Sequence, residues 1–83
     1  MREIFIGERC VEDRRYGYYL LAESGEHDWE HYGVKIAGGG DEAALRDITV
    51  SQRDIQTLGA LLMDFSVTPV TLRDVVEDWL ARD

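Results

Sequence analysis

From Glu3 to about Val50, apolar and polar residues alternate in short runs broken by turn signals, and this period of two predicts β-strands. In "REIFIGERCVED" the alternation sets Ile4, Ile6 and Cys10 on one face. "YGYYLLAE" sets Tyr16, Tyr18, Leu20 and Ala22 against Gly17, Tyr19 and Leu21. Both of its faces carry apolar groups, as expected of a central strand. After the polar turn "SGEHD", "WEHYGVKIAG" puts Tyr32, Val34 and Ile36 opposite Trp29, His31 and Lys35. "GGGDE" is a second turn, and "ALRDITV" makes a weaker fourth strand, with Ala44, Ile48 and Val50 against Leu45 and Asp47. Connections this short favour an antiparallel meander.

At Ser51 the period changes to about 3.6. Ile55, Leu58, Leu62 and Phe65 form one helical stripe, and Leu72, Val75, Val76, Trp79 and Leu80 form a second, with Pro69 between them. The two helices open alike, with "VSQRDI" and "VTLRDV". Ser51 and Thr71 are expected as N-caps accepting the amide three residues on, with Asp54 and Asp74 reaching back to the cap amide. Val50 and Val70 would then staple onto Ile55 and Val75. The expected fold is one α+β domain over residues 1–83. A three- or four-stranded antiparallel meander (about 3–50) is followed by two helices (about 52–65 and 72–82) packed on one face. Trp79 belongs to the expected core, where truncation to Ala costs about 3–5 kcal/mol.

Composition narrows the function classes. A chain of 83 residues, 45% apolar and 31% charged, is expected to be ordered over nearly its whole length. It buries only about 60% of the surface its unfolded form exposes, which leaves little room for an enclosed active site. Seventeen acidic against nine basic residues give a net charge of −8. Such a field repels phosphates, so direct partners among nucleic acids and anionic membranes are not expected. The one cysteine cannot form an internal disulfide, no apolar run approaches the roughly 20 residues of a membrane span, and the N-terminus has no signal-like core. The expected location is a reducing cytoplasm.

Candidate chemistry is sparse. "HDWEH" spaces His27 and His31 four apart with Asp28 and Glu30 between them, a metal-binding spacing on a helix. On a strand the two histidines would lie more than about 12 Å apart. "GGGDE" precedes acids and a strand rather than a lysine and a helix, so it is a turn and not a phosphate loop. Cys10 sits between Glu8 and Glu12, which disfavour a thiolate, and is expected as a half-buried structural thiol. Asp74 has a capping role, and Glu77 and Asp78 lie on a polar helix face. No catalytic, cofactor or metal residue is therefore expected, and the chain is not expected to be an enzyme.

Binding is the alternative to catalysis. Two helices cover one face of a sheet. The other face, carrying several of Tyr16, Tyr18, Tyr19, Trp29 and His31, is then solvated, paired with another copy, or used for a partner. The leading expectation is a small protein–protein binding or regulatory module, with homodimerisation as a special case. A second is an acidic inhibitor that mimics nucleic acid, its charge gathered from Glu23, Glu26, Asp28, Glu30, Asp41 and Glu42 by the two hairpin turns.

"YGVKI" at Tyr32–Ile36 and "VTPVTLRDVVEDWL" at Val67–Leu80 carry a resemblance. From about Tyr16 onward the chain resembles an uncharacterised family of short bacterial domains of unknown function. Its members have a Tyr-Gly-Ile/Val-x-Ile strand and a Ser/Thr-Pro-x-x-Leu-x-Asp-Val-Val-x-Asp-Phe/Trp-Leu ending. The resemblance implies a common fold and brings with it no activity and no catalytic residue.

Overall fold

A computed structural model describes residues 1–82, and of Asp28 the backbone alone. The chain forms β1 (Arg2–Val11), β2 (Arg14–Ser24), a short 3-10 turn (Glu26–Asp28), β3 (Glu30–Gly38), β4 (Asp41–Thr49), α1 (Gln52–Asp64) and α2 (Leu72–Leu80). The strands form one antiparallel sheet in the order β1-β2-β3-β4, so the architecture is the expected α+β meander followed by two helices. Tyr16, Tyr18 and Leu20 of β2 and Val34 and Ile36 of β3 are buried with Ile55, Leu58 and Leu62 of α1, Val67, and Leu72 and Val76 of α2. Both helices thus lie on one face of the sheet.

Two bulges shift the edge strands out of strict alternation. On β1 the register slips between Phe5 and Gly7, so Ile6 is the extra residue. Because one added residue exchanges the faces, Ile6 and Val11 both reach the core while Cys10 turns outward and is exposed, not half-buried beside Ile6 as the alternation predicts. On β4 the register slips opposite Gly33, where Asp47 adopts a φ of 55°. Ala43, Leu45 and Ile48 therefore face the core, which replaces the expected grouping of Ala44 with Ile48 and Val50. The backbone of this bulge lies against Gly33, and a β-carbon there would overlap the Leu45 carbonyl oxygen. That contact accounts for the glycine of "YGVKI".

The hairpin turns differ in quality. Gly39 and Gly40, with φ of 60° and 85°, occupy a two-residue turn whose left-handed conformations suit glycine. Glu12 and Asp13 occupy the equivalent positions between β1 and β2 with φ of 51° and 65°, where a β-carbon is unfavourable.

The helix starts also differ, despite their matching sequences. Ser51 is extended and its hydroxyl accepts the Asp54 amide at 3.1 Å, a side-chain N-cap. The Ser51 amide is satisfied by the Thr49 hydroxyl at 3.1 Å, in the place expected for Asp54. Thr71 makes no side-chain cap. Pro69 sits in a turn closed by the Thr71 amide on the Thr68 carbonyl at 3.2 Å, and this holds Thr71 at φ −102° and ψ 0° rather than in the extended conformation a cap needs. Val70 is 83% exposed, so it does not staple, and Val50 too is exposed.

Candidate functional site

The sheet face away from the helices is covered by its own charges. Lys35 of β3 reaches Glu3 of β1 at 3.2 Å and Glu42 of β4 at 3.6 Å. Its ammonium lies 5.3 Å from the centre of the Tyr19 ring, which in turn meets Phe5 edge-on at 5.4 Å. Arg46 of β4 holds Glu23 of β2 through two hydrogen bonds. His31 Nδ1 lies 2.7 Å from Asp47. Hydrogen bonding to Glu3 raises the Lys35 pKa, and the hydrogen bond from Arg46 lowers that of Glu23. The face is a ladder of ion pairs spanning all four strands.

This placement corrects the expected aromatic platform. Tyr16 and Tyr18 point to the helices and are buried, because β2 directs its even-numbered residues into the core. Tyr19 lies under Lys35, His31 is engaged with Asp47, and Trp29, 64% exposed, stands beside the turn before β3. The five residues do not form one surface.

The expected acidic patch is likewise divided. Glu23, Glu26 and Glu30 belong to one end of β3, and Asp41 and Glu42 to the other, about 26 Å away at the usual strand rise. Glu23, Glu30, Asp41 and Glu42 are paired with Arg46, Arg2, Arg14 and Lys35. The Asp28 side chain lies outside the described residues. His27 is exposed in the 3-10 turn at φ 61°. Among the described residues, no group of three or more His, Cys, Asp and Glu is placed to hold a metal ion.

A concavity with a more apolar lining lies elsewhere, between the C-terminal half of α1, the interhelical turn and α2. It is an open cleft of about 490 Å³ whose apolar lining is Leu61, Phe65, Val67, Val75 and Trp79, with Asp74 and Asp78 along α2 and Arg82 just beyond its end. Its geometry follows from how α1 ends. Ser66, at φ 50°, takes the left-handed position after the helix, its amide bonding the Met63 carbonyl at 3.1 Å, while the Val67 amide bonds the Leu62 carbonyl at 2.9 Å. This is a Schellman motif with serine in the usual place of glycine. It turns Val67 into the core beside Leu62 and leaves Phe65 outside it, 74% exposed.

Phe65 and Trp79, both expected in core stripes, flank this cleft: Trp79 is partly buried and packs against the core as expected, whereas Phe65 does not. The spacing of Phe65 from Leu62 is right for the stripe. The available signal against it was "FSVTP", a polar residue and a proline closing the helix just after the aromatic.

Among the described residues, no helix is long and apolar enough to cross a membrane. No curated protein and no solved structure gives a match to the chain. The motifs at Tyr32–Ile36 and Val67–Leu80 now have structural settings, the first over the β4 bulge and the second through the interhelical turn and α2. A family model matches residues 1–82, and the chain belongs to that family, the family of unknown function DUF6514.

Proposed function

We propose that the chain is a small non-enzymatic protein-binding module that engages its partner through the cleft between α1 and α2. The observation that carries this reading is the exposure of Phe65 across from Trp79 in a concave apolar surface. Aromatic side chains set in such a pocket dominate binding energy at protein interfaces, and a concentrated apolar surface is what a small charged domain otherwise avoids exposing. The ion-paired sheet face supports the same choice, since its charges already have partners within the chain.

Selection from a random displayed-peptide library against the immobilised chain tests the reading, with Phe65→Ser as the counter-screen. Phe65 is mostly exposed, so this variant keeps the circular dichroism spectrum of the parent. Enriched peptides are expected to lose binding to the variant. Peptides that bind both proteins equally, or no enrichment at all, would overturn the assignment.

A further inference from the structure

We infer that the occupant of the cleft is an amphipathic helix of another protein, its apolar stripe inserted between Phe65 and Trp79 and cationic side chains set against Asp74 and Asp78. This deepens the binding reading above and rests on it.

Charge is the first argument. Every ion pair among the described residues joins side chains of the sheet strands. Asp74 and Asp78 stand one helical turn apart on α2, both exposed, and form no ion pair among the described residues. Neighbours at i and i+4 lie on one flank of a helix, so the two carboxylates edge the same apolar trough. Arg82, one further turn on, lines the same cleft and gives it polarity, with cations favoured beside Asp74 and Asp78 and disfavoured at the Arg82 end.

Backbone chemistry chooses the conformation of the occupant. An extended peptide that binds by adding a strand needs an exposed sheet edge, and the cleft offers none: its walls are α1, α2 and the turn between them, where the Ser66, Val67 and Thr71 amides are bonded within the chain. A segment that satisfies its own backbone fits such walls, and a helix does so. A second copy of the chain is the weaker occupant. A two-fold contact through this patch gathers four carboxylates, Asp74 and Asp78 of each copy, against two Arg82 guanidinium groups, between chains that each carry −8. Anionic lipid and nucleic acid are opposed by the same charge.

Three synthetic peptides of about 18 residues, longer than the length at which isolated helices are marginal, test the inference. All carry Leu at the i, i+3, i+4, i+7 positions, and the remaining positions are Lys, Gln or Glu. Fluorescence anisotropy with the full chain measures their binding. The Leu/Lys peptide is expected to bind, and Phe65→Ser is expected to weaken it by at least about twentyfold, as for an interface anchor. The double variant Asp74→Asn/Asp78→Asn is expected to weaken it about tenfold and to flatten its dependence on salt between about 50 and 500 mM. Glu8→Gln/Glu26→Gln, which changes net charge equally outside the cleft, should leave it within about twofold.

Leu/Gln or Leu/Glu binding as tightly as Leu/Lys, with the same dependence on Phe65, would overturn the cationic partner and leave the cleft standing as a binding site. Leu/Lys binding that ignores Phe65→Ser, or that falls equally with both charge variants, would reflect general attraction to an acidic protein and overturn the inference. Absence of binding by all three helices would overturn the helical occupant, and the peptide selection would then report whether the cleft binds anything.

Discussion

Replacing Tyr18 by Phe removes one oxygen from a side chain that is 1% exposed. That oxygen donates a hydrogen bond to the Val67 carbonyl at 2.7 Å, tying β2 to the turn between the helices. Val67 is itself buried, so its carbonyl is left without this donor in a place that water reaches poorly. A buried acceptor that loses its partner costs about 1–3 kcal/mol, and each kcal/mol lowers Tm by about 4–8 °C in a domain of this size. Urea unfolding followed by circular dichroism measures the loss, and a value below about 0.5 kcal/mol would show that the bond does not anchor the turn. The pH dependence gives an independent reading. Burial is the largest influence on the Tyr18 phenol and raises its pKa, opposed by Arg9 and assisted by Tyr16. In the unfolded chain the phenol ionises near pH 10. Above that pH the unfolded state binds fewer protons than the native state, so the contribution of Tyr18 to stability falls. It is fully present below about pH 10 and lost as pH rises through the raised native value. The stability difference between wild type and Tyr18→Phe should therefore be constant from neutral pH to about pH 9 and shrink above about pH 10. A difference that widened with alkalinity would refute the assignment.

The two helix starts separate in the same assay: Ser51→Ala is expected to cost about 1 kcal/mol, and Thr71→Ala less than about 0.5 kcal/mol because Thr71 caps nothing. Glu12→Asn combined with Asp13→Gly should stabilise the protein by about 1 kcal/mol by relieving two left-handed residues, and a lower midpoint in urea would contradict the turn geometry. Gly33→Ala should cost more than about 3 kcal/mol, since its β-carbon meets backbone of the β4 bulge that cannot rotate away; near-neutral unfolding data would mean the bulge moves freely.

The order of elements was legible because period-two alternation and 3.6-residue stripes are imposed by burial on one side, and the central strands β2 and β3 follow their alternation without a break against each other. What escaped was local. A bulge exchanges the two faces of a strand through one added residue; Gly7 of "FIG", at φ 155°, was the available signal in β1, while "RDI" in β4 has no residue type that calls for one. The likeness of "VSQRDI" and "VTLRDV" misled for a related reason. A cap depends on the conformation entering it, and Pro69 sets that conformation for Thr71 from two residues upstream. Tyrosines assigned to a binding face went to the core because β2 is apolar on both sides, so composition alone did not say which side the helices take.

The cleft and the core are products of one turn. If α1 continued one residue further, Phe65 would extend the stripe of Leu58 and Leu62, and Val67 would have no route inward. The left-handed Ser66 makes the opposite choice, and the Tyr18 hydroxyl holds the exchanged Val67 from the sheet side. Burying valine while exposing phenylalanine is unfavourable by area alone, since the aromatic ring is the larger apolar surface. The fold accepts that exchange at the position where α2 brings Trp79 alongside, so the least favourable choice in the packing is also what creates the aromatic walls of the cleft. Tyr18→Phe should therefore disturb two properties together, stability and peptide affinity, although Tyr18 itself does not line the cleft. Phe65→Ser should separate them, abolishing binding while leaving stability unchanged or raised, because it replaces a ring that the solvent already reaches.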